Sequence, residues 1–261
     1  MNAARPVALI TGAGKRIGRT IALILAQHGW DIAIHYNQSA HEAKDTQSLI
    51  NAMGRSAMLV QADLAKPQEV SNIIDQVSAE LSPPALLVNN ASLFEYDRPD
   101  AVDVRLFNQH IDINVKAPIL LSEKFYGIHQ QQGTQGLIIH LLDQKLINPN
   151  PDYFSYTLSK AALASAIPLM AQQFAPHVRV MGIAPGIILP SGPQSQSHFE
   201  AIQQMNPLKK SATAEDIAHT VLYCSSVSSL TGSVIYVDGG QHLAASSRDV
   251  MFIDPHSIES S

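Results

Sequence analysis

The chain has 261 residues, of which 46% are hydrophobic and 15% charged, and its formal net charge is −5 at pH 7. This composition is typical of a globular protein with a sizeable core, and the negative balance argues against a nucleic-acid-binding surface while leaving room for a local basic pocket. The single cysteine, Cys224, excludes an intramolecular disulfide and a cysteine-rich metal site. We expect no bound metal.

The first apolar run begins at about Val7, which leaves no room for a signal peptide ahead of it. No apolar run approaches the ~18 residues that a membrane-spanning helix needs. We therefore expect a cytoplasmic protein that does not enter a membrane.

Short apolar runs then alternate with longer amphipathic stretches. The runs lack strict polar alternation, which is typical of strands covered on both faces of a parallel sheet. The predicted strands are 7–11, 31–36, 57–61, 85–90, 136–142, 178–185 and 233–240, and the predicted helices are 17–28, 40–53, 67–81, 118–130, 154–174 and 214–224. This order predicts a single α/β domain over 1–245, a doubly wound, Rossmann-like parallel sheet with right-handed connections.

An irregular segment rich in Pro, Gly and Ser, at about 187–213, follows the sixth predicted strand. Loops after the carboxyl ends of strands hold ligands in such folds, so we expect a substrate lid here, with a plain surface insertion as the alternative. The tail 246–261 runs past the last predicted strand, and the sequence assigns it no role.

The first strand runs into TGAGKRIG, at 11–18, directly before an amphipathic stretch. A glycine-rich turn there lets backbone N–H groups approach a cofactor pyrophosphate at the start of the helix. The candidate cofactor contacts in this turn are Gly12, Lys15, Arg16, Ile17 and Gly18.

The second strand ends in IHYNQSA, which has no acidic residue before Glu42. NAD-selective sites place an Asp or Glu near this point to bind the ribose 2′-hydroxyl. A 2′-phosphate would meet donors instead, so NADPH is the expected cofactor, although the same residues can also begin a helix with Ser39 as its N-cap. The candidate contacts are His35, Tyr36, Asn37, Gln38 and Ser39.

Seven motifs occur in the order found in the short-chain dehydrogenases/reductases, and the resemblance reaches to about Leu243. They are TGAGKRIG, ADL (62–64), NNAS (89–92), DINV (112–115), YTLSK (156–160), APG (184–186) and VDGG (237–240). Within that family the chain resembles the pteridine reductases, including those of the dihydromonapterin reductase type. Three features carry this likeness: Arg16 at the middle glycine position of the turn, the stretch HYNQSAHEA, and Asp143 where most of the family has a catalytic serine.

The resemblance implies roles for further residues. Asn114 resembles the helix residue that supports a proton-relay water, and Lys160 is implied to bind the nicotinamide ribose as well. Phe94 stands where pteridine reductases stack an aromatic ring on the pterin, with a core position as the alternative. Gln38 departs from the Arg that such enzymes often carry. Further implied contacts are Asp63, Leu64, Asn90, Ala91, Ser92, Pro185 and Gly186 with the cofactor, and Arg16, Ser92, Phe94, Asp143 and Tyr156 with the substrate. The family is commonly tetrameric through two long helices, here 118–130 and 154–174.

Reduction of a C=N bond needs a hydride for the carbon and a proton for the nitrogen. Tyr156 and Lys160 share a helical face at i and i+4, so we expect the lysine to lower the pKa of the phenol. Asp143 ends the fifth strand, so its carboxyl should point into the cleft beside Tyr156, accept from pterin N–H groups or relay a proton; a structural Asp here would instead cap a turn.

The leading hypothesis is an NADPH-dependent reductase of dihydropterins. A short-chain ketone or 3-oxoacyl-thioester reductase remains an alternative, although a carboxylate at 143 would repel the developing charge on a carbonyl oxygen. A non-catalytic NADPH-binding module is a third possibility.

Overall fold

Seven parallel strands form the centre of the molecule. In a computed structural model that describes residues 5–189 and 195–253, they lie in the order β3-β2-β1-β4-β5-β6-β7. The strands are β1 Val7–Ile10, β2 Asp31–Tyr36, β3 Ala57–Gln61, β4 Leu86–Asn89, β5 Gly136–Leu141, β6 Val178–Pro185 and β7 Val234–Val237. The predicted doubly wound parallel sheet is confirmed.

Helices cover both faces of this sheet. They are α1 Arg16–Gln27, α2 Ala40–Ala52, α3 Pro67–Glu80, α4 Val104–Ile111, α5 Ala117–Gln132, α6 Phe154–Phe174, α7 Gln196–Gln203 and α8 Ala214–Ser226. Leu9 of β1 belongs to one buried apolar cluster and Ile10 to the other, so each strand contributes to a core on both sides. Two buried faces explain why the strands read as continuous apolar runs.

Two helices appear that the sequence pattern did not predict. α4 buries only His110 and spans eight residues, a length at which an apolar spacing does not distinguish a helix from a strand. It continues through a π-helical turn, Asp112–Lys116, into α5. α7 lies within the predicted lid and buries Phe199 and Ile202, while residues 190–194 of that lid lie outside the described residues.

The order of the strands creates a crevice at their carboxyl ends. The chain moves outward from β1 to β3 and then returns to place β4 beside β1. Ligands of open α/β sheets bind at such a reversal, outside the carboxyl ends of the strands.

Over the residues described, no helix is both long and apolar enough to cross a membrane. No group of three or more His, Cys, Asp or Glu side chains in the same ranges is arranged to hold a metal ion.

Candidate active site

A cleft of about 1390 Å³ opens at this edge of the sheet. Its walls come from the glycine turn, the segments after β4, β5 and β6, α7, and residues beyond β7. Many of the predicted site residues line it: Lys15, Arg16, Ile17, Asn90, Ser92, Phe94, Asp143, Tyr156, Lys160, Pro185 and Gly186.

The glycine turn is shaped by close packing of its own backbone. Gly12 has φ +66°, in the left-handed region that favours glycine, and a Cβ added to Gly18 would lie 2.3 Å from the Gly12 carbonyl oxygen. Asn90 braces the turn from β4, because its Nδ2 donates to the Thr11 carbonyl at 2.8 Å. Glycine at 18 is therefore required by the close approach, and glycine at 12 adopts its left-handed conformation without strain.

Arg16 begins α1 with φ +54°, a conformation that costs a non-glycine residue free energy. This is the position that resembles the family's middle glycine, so the backbone shape of the turn is kept although the glycine is not. Arg16 lines the cleft. Strain of this kind persists where the surrounding structure enforces it, and it is common at functional sites.

His35 lies beneath the turn. It is only 1% exposed, its Nδ1 accepts from the Gly12 N–H at 3.2 Å, and its Nε2 lies 3.1 Å from the Ala62 carbonyl oxygen. Burial lowers the pKa of His35 to about 4, so the ring is neutral near pH 7. His35 therefore supports the turn from below, whereas the sequence placed it among the direct cofactor contacts.

Other predicted cofactor contacts lie away from the cleft lining. Leu64 is a core residue, and Asp63 caps its own turn by accepting from the Ala65 N–H at 3.0 Å. Asn37 and Gln38 are exposed at the end of β2. Half-buried positions complete the set: Tyr36, Ser39 at the N-cap of α2, and Ala91.

Asp143 and Tyr156 meet in the cleft. The Tyr156 hydroxyl donates to Asp143 Oδ2 at 3.0 Å, and the other carboxyl oxygen accepts from the Lys145 N–H at 2.8 Å. The two proposed roles of this carboxylate are therefore combined, because one oxygen caps the turn after β5 while the other contacts the phenol.

Lys160 lies one helical turn after Tyr156 on α6, and its ammonium is 5.6 Å from the centre of the phenol ring. It is nearly buried and donates to the Leu141 carbonyl at 2.8 Å. Burial lowers the pKa of Lys160 to about 8, against the opposing effect of the Asp143 charge.

The expectation that Lys160 lowers the pKa of the phenol is wrong. Burial, and then the charge and hydrogen bond of Asp143, raise the pKa of Tyr156 well above its ordinary value. Burial also raises the pKa of Asp143, an effect that the hydrogen bond from Lys145 opposes. The helix places the lysine close to the ring, but the buried carboxylate is nearer to the hydroxyl and has the larger effect.

Asn114 occupies the π-helical turn and is 1% exposed. Its Oδ1 accepts from the Leu93 N–H at 2.8 Å, and its Nδ2 donates to the Leu93 carbonyl and to Ser159 Oγ, each at 3.0 Å. It thus ties the segment after β4 to α6, immediately beside Lys160. In this structure Asn114 holds two walls of the cleft together, and the water that the resemblance implies stays a prediction.

Phe94 is 37% exposed and lines the cleft. One face of its ring stacks on Tyr153, with the ring centres 4.1 Å apart, and the rings of Phe94 and Tyr156 meet edge to face with centres 4.7 Å apart. It is not a core residue, because much of its surface remains accessible from the cleft. Stacking on a flat substrate is possible only on the face turned away from Tyr153.

Pro185 ends β6 at the floor of the cleft, and Gly186 follows it. A Cβ added to Gly186 would lie 2.8 Å from Asp238 Cβ and 3.0 Å from Asp238 Cα, so glycine is needed for this approach. Gln241 Oε1 accepts from the Ile187 N–H at 3.1 Å. The first residues of the predicted lid are therefore held by a side chain that follows β7.

Sequence reasoning missed a group of charged residues behind Asp143. Lys145 is 4% exposed; its ammonium donates to the Asp152 carbonyl at 2.7 Å and to Asp249 Oδ2 at 3.2 Å. Arg248 donates to both carboxyl oxygens of Asp152, at 2.7 and 3.0 Å. The only signal in the sequence was an adjacent Arg–Asp pair in a tail that follows the last family motif.

A family model described as enoyl-(acyl carrier protein) reductase, of the short-chain dehydrogenase type, matches residues 12–242. The chain belongs to the short-chain dehydrogenase/reductase family. An uncharacterized oxidoreductase of Thermotoga maritima is 30% identical over 253 residues, covering 92% of this chain and 98% of that protein. The 3-oxoacyl-(acyl-carrier-protein) reductase FabG of Staphylococcus epidermidis is 30% identical over 241 residues, covering 90% and 98%.

The solved structures that match include chains more similar in sequence than these relatives. FolM alternative dihydrofolate reductase 1 from Brucella canis, complexed with NADP, is 39% identical to this chain, with a TM-score of 0.87. The match covers 92% of this chain and 96% of that one. The family resemblance drawn from the seven motifs is thereby confirmed, and the chain is an oxidoreductase of this family.

Proposed function

We propose that this protein is an NADPH-dependent reductase of pterins that converts a dihydropterin to a tetrahydropterin. The observation that carries the proposal is the hydrogen bond between Tyr156 and Asp143 in the cleft. A pair that holds a proton beside a carboxylate suits a substrate nitrogen, which must be protonated as the C=N bond is reduced. The FolM structure adds support, because its protein is named an alternative dihydrofolate reductase.

NADPH fits the residues of the turn. Backbone N–H groups in the first turn of a helix have no partner within the helix and attract a phosphate. α1 has no acidic residue in its first turn, and Gly12 and Gly18 allow the backbone to pass close by. Lys15 and Arg16 add positive charge at the cleft, and the exposed Asn37 and Gln38 would present uncharged groups to a 2′-phosphate. The FolM structure is described as complexed with NADP.

The proton chemistry follows from the buried pair. NADPH would supply a hydride to the carbon of the C=N bond and leave as NADP⁺. Burial keeps the Tyr156 phenol protonated near neutral pH, so its proton is available for the substrate nitrogen. As that proton leaves, Asp143 takes up a proton from solvent, which its raised pKa favours, and passes it through Oδ2 to the phenolate. The nearby Lys160 ammonium stabilises the negative charge in the interval.

Arg16 and Phe94 suit recognition of a flat, polar heterocycle. A guanidinium is planar and donates to ring nitrogens and carbonyl oxygens, and an aromatic ring contributes stacking of about 1–3 kcal/mol in comparable base-binding sites. Both side chains line the same cleft as Asp143 and Tyr156. A pterin ring between them would satisfy all four groups.

Reduction of a 3-oxoacyl thioester is the second candidate, favoured by the 30% identity to FabG of Staphylococcus epidermidis. A developing alkoxide needs hydrogen-bond donors, whereas Asp143 presents carboxyl oxygens close to the phenol. We therefore rank it below pterin reduction.

The experiment that tests the proposal follows NADPH oxidation with a dihydropterin, dihydrofolate and an acetoacetyl thioester side by side, and repeats each with NADH. We expect turnover of the dihydropterin with the highest kcat/KM. A charge-assisted hydrogen bond is worth about 10- to 100-fold, and we expect the preference for NADPH at the low end of this range because Gln38 stands in place of an Arg. A higher kcat/KM on the thioester than on the dihydropterin would overturn the substrate assignment. Equal kcat/KM with NADH and NADPH would overturn the cofactor assignment.

We also propose that the protein assembles as a homotetramer through α5 and α6. Leu158 and Leu169 on α6 and Ile119 on α5 are exposed large apolar residues, with Leu169 67% exposed. Apolar surface of this kind favours association. Light scattering after gel filtration would test it, and a monomeric mass would exclude it.

A further inference from the structure

Residues 246–253 cross the cleft and form part of its wall. We call this segment the strap. It lies beyond the family model match, which ends at 242, yet several of its side chains line the cleft: Ser246, Arg248, Asp249, Val250, Met251 and Ile253. A segment outside the shared family region therefore contributes surface to this chain's own site.

Two ion pairs tie the strap to the loop that joins Asp143 to Tyr156. Arg248 donates two hydrogen bonds to the Asp152 carboxylate. The Asp249 N–H donates to the same carboxylate at 2.8 Å, and its own carboxylate accepts from the buried Lys145 ammonium at 3.2 Å. The partners of this second pair lie 104 positions apart and are both nearly buried.

The strap also contacts the other walls of the cleft. The Tyr153 hydroxyl donates to Met251 Sδ at 3.1 Å, and the Phe252 ring meets Tyr96 at 5.2 Å. The carbonyl oxygen of Ile253 lies 2.9 Å from His198 Nε2 on α7. The strap therefore bridges the loop after β5 and α7, the helix inside the predicted lid.

Lys145 links this network to the chemistry. Its backbone N–H holds one oxygen of Asp143 at 2.8 Å, while its side chain is held by Asp249. The backbone of residue 145 can keep its place only if the buried ammonium keeps its partners, because an uncompensated buried charge is costly. Asp249 therefore acts on Asp143 through Lys145, without touching the phenol.

Resting on the function proposed above, we propose that Asp249 and Lys145 are positioning residues, and that the strap holds the Asp143 carboxyl in hydrogen-bonding reach of Tyr156. The groups that face Asp143 are Lys145 from its own loop, Tyr156 and Lys160 from α6, and Asp249 from the strap. Removing the charge of Asp249 leaves the Lys145 ammonium to favour the ionised carboxyl, so Asp143 should lose its proton at lower pH.

The test compares Asp249→Asn, Lys145→Met and the double variant with wild type in the full-length chain. We expect Asp249→Asn to lower dihydropterin kcat by about 10- to 100-fold, in the range of groups that orient a catalytic side chain. The NADPH KM should change little, and the alkaline limb of the pH profile should move to lower pH. Because the pair acts as a unit, the double variant should be no worse than the poorer single variant.

Lys124→Gln is the matched control, because it breaks the exposed Lys124–Asp75 pair away from the cleft. It should leave the kinetics unchanged. Amide hydrogen exchange of residues 143–153, measured without substrate, gives a readout that does not depend on the proposed function. Faster exchange in Asp249→Asn but not in Lys124→Gln would support the strap even if wild type reduced no pterin. The proposal would be overturned if residues 143–153 of Asp249→Asn exchanged at the wild-type rate and, on any substrate that the wild type reduces, the pH profile did not move.

Discussion

The phenol oxygen of Tyr156 and Oδ2 of Asp143 lie 3.0 Å apart, although thirteen positions separate the residues in the chain. Asp143 follows the end of β5 by two residues, and the first turn of α6 carries the phenol. Burial disfavours the charged form of each group, so the pair retains a proton over the neutral range.

Tyr156→Phe should lower kcat on a dihydropterin by about 10²- to 10⁴-fold, the usual range for a positioned acid. NADPH binding should be nearly unchanged, because the ring and the helix remain. Steady-state kinetics and NADPH fluorescence titration measure the two effects. Tyr126→Phe, the same change on α5 away from the cleft lining, is the control. Substantial residual activity in Tyr156→Phe would show that Tyr156 is not the proton donor.

Asp143→Ala should lose about 10²-fold or more in dihydropterin turnover if the carboxyl passes a proton to the phenolate. Asp143→Ser should lose pterin activity too, while tolerating or gaining weak reduction of an activated ketone, because a hydroxyl can donate to a carbonyl oxygen. Measuring kcat/KM for both variants on both substrates separates the cases. Wild-type pterin turnover by Asp143→Ala would show that the carboxyl has no chemical role.

Phe94→Ala should raise the KM for the dihydropterin by about 10-fold or more, since stacking contributes about 1–3 kcal/mol. The NADPH KM and the melting temperature should change little, because the ring is partly exposed. Tyr223→Ala removes an exposed aromatic ring on α8 and serves as the control. A large drop in melting temperature with unchanged substrate affinity would instead identify Phe94 as a packing residue.

Lys160→Met should change how the stability of the cofactor-free protein depends on pH. Burial lowers the pKa of Lys160 from 10.5 to about 8, so the unfolded chain binds more protons between these values. The buried ammonium therefore lowers the free energy of unfolding. This penalty is absent above pH 10.5 and is fully present once the pH has fallen through about 8, a difference on the order of 3 kcal/mol.

Lys160→Met removes this cost of burying the ammonium. The rise in melting temperature over wild type should therefore be larger at about pH 7 than at about pH 9.5. Thermal melts at the two pH values measure it. Lys124→Met, at a half-exposed position, should show no such difference. A pH-independent effect of Lys160→Met would mean that the ammonium is not penalised by burial.

Local pattern and short motifs were sufficient to predict most of the framework. All seven strands were predicted, because burial on both faces leaves a continuous apolar run that needs no knowledge of its neighbours. The Tyr156 and Lys160 relationship was also readable, since helical geometry alone places i and i+4 together. α4 escaped prediction because its apolar spacing extends over only eight residues, too few to distinguish a helix from a strand, although Asp103 caps it.

The tertiary structure decided the electrostatics and the closure of the cleft. His35 became a neutral support because β3 and the glycine turn enclose it, and the pKa of Tyr156 rises because burial and Asp143 outweigh a lysine that the sequence placed beside it. Asp249 reaches Lys145 across 104 positions. Periodicity and motif spacing report on neighbours along the chain, whereas burial and the partner of a charge depend on segments that only the folded sheet brings together.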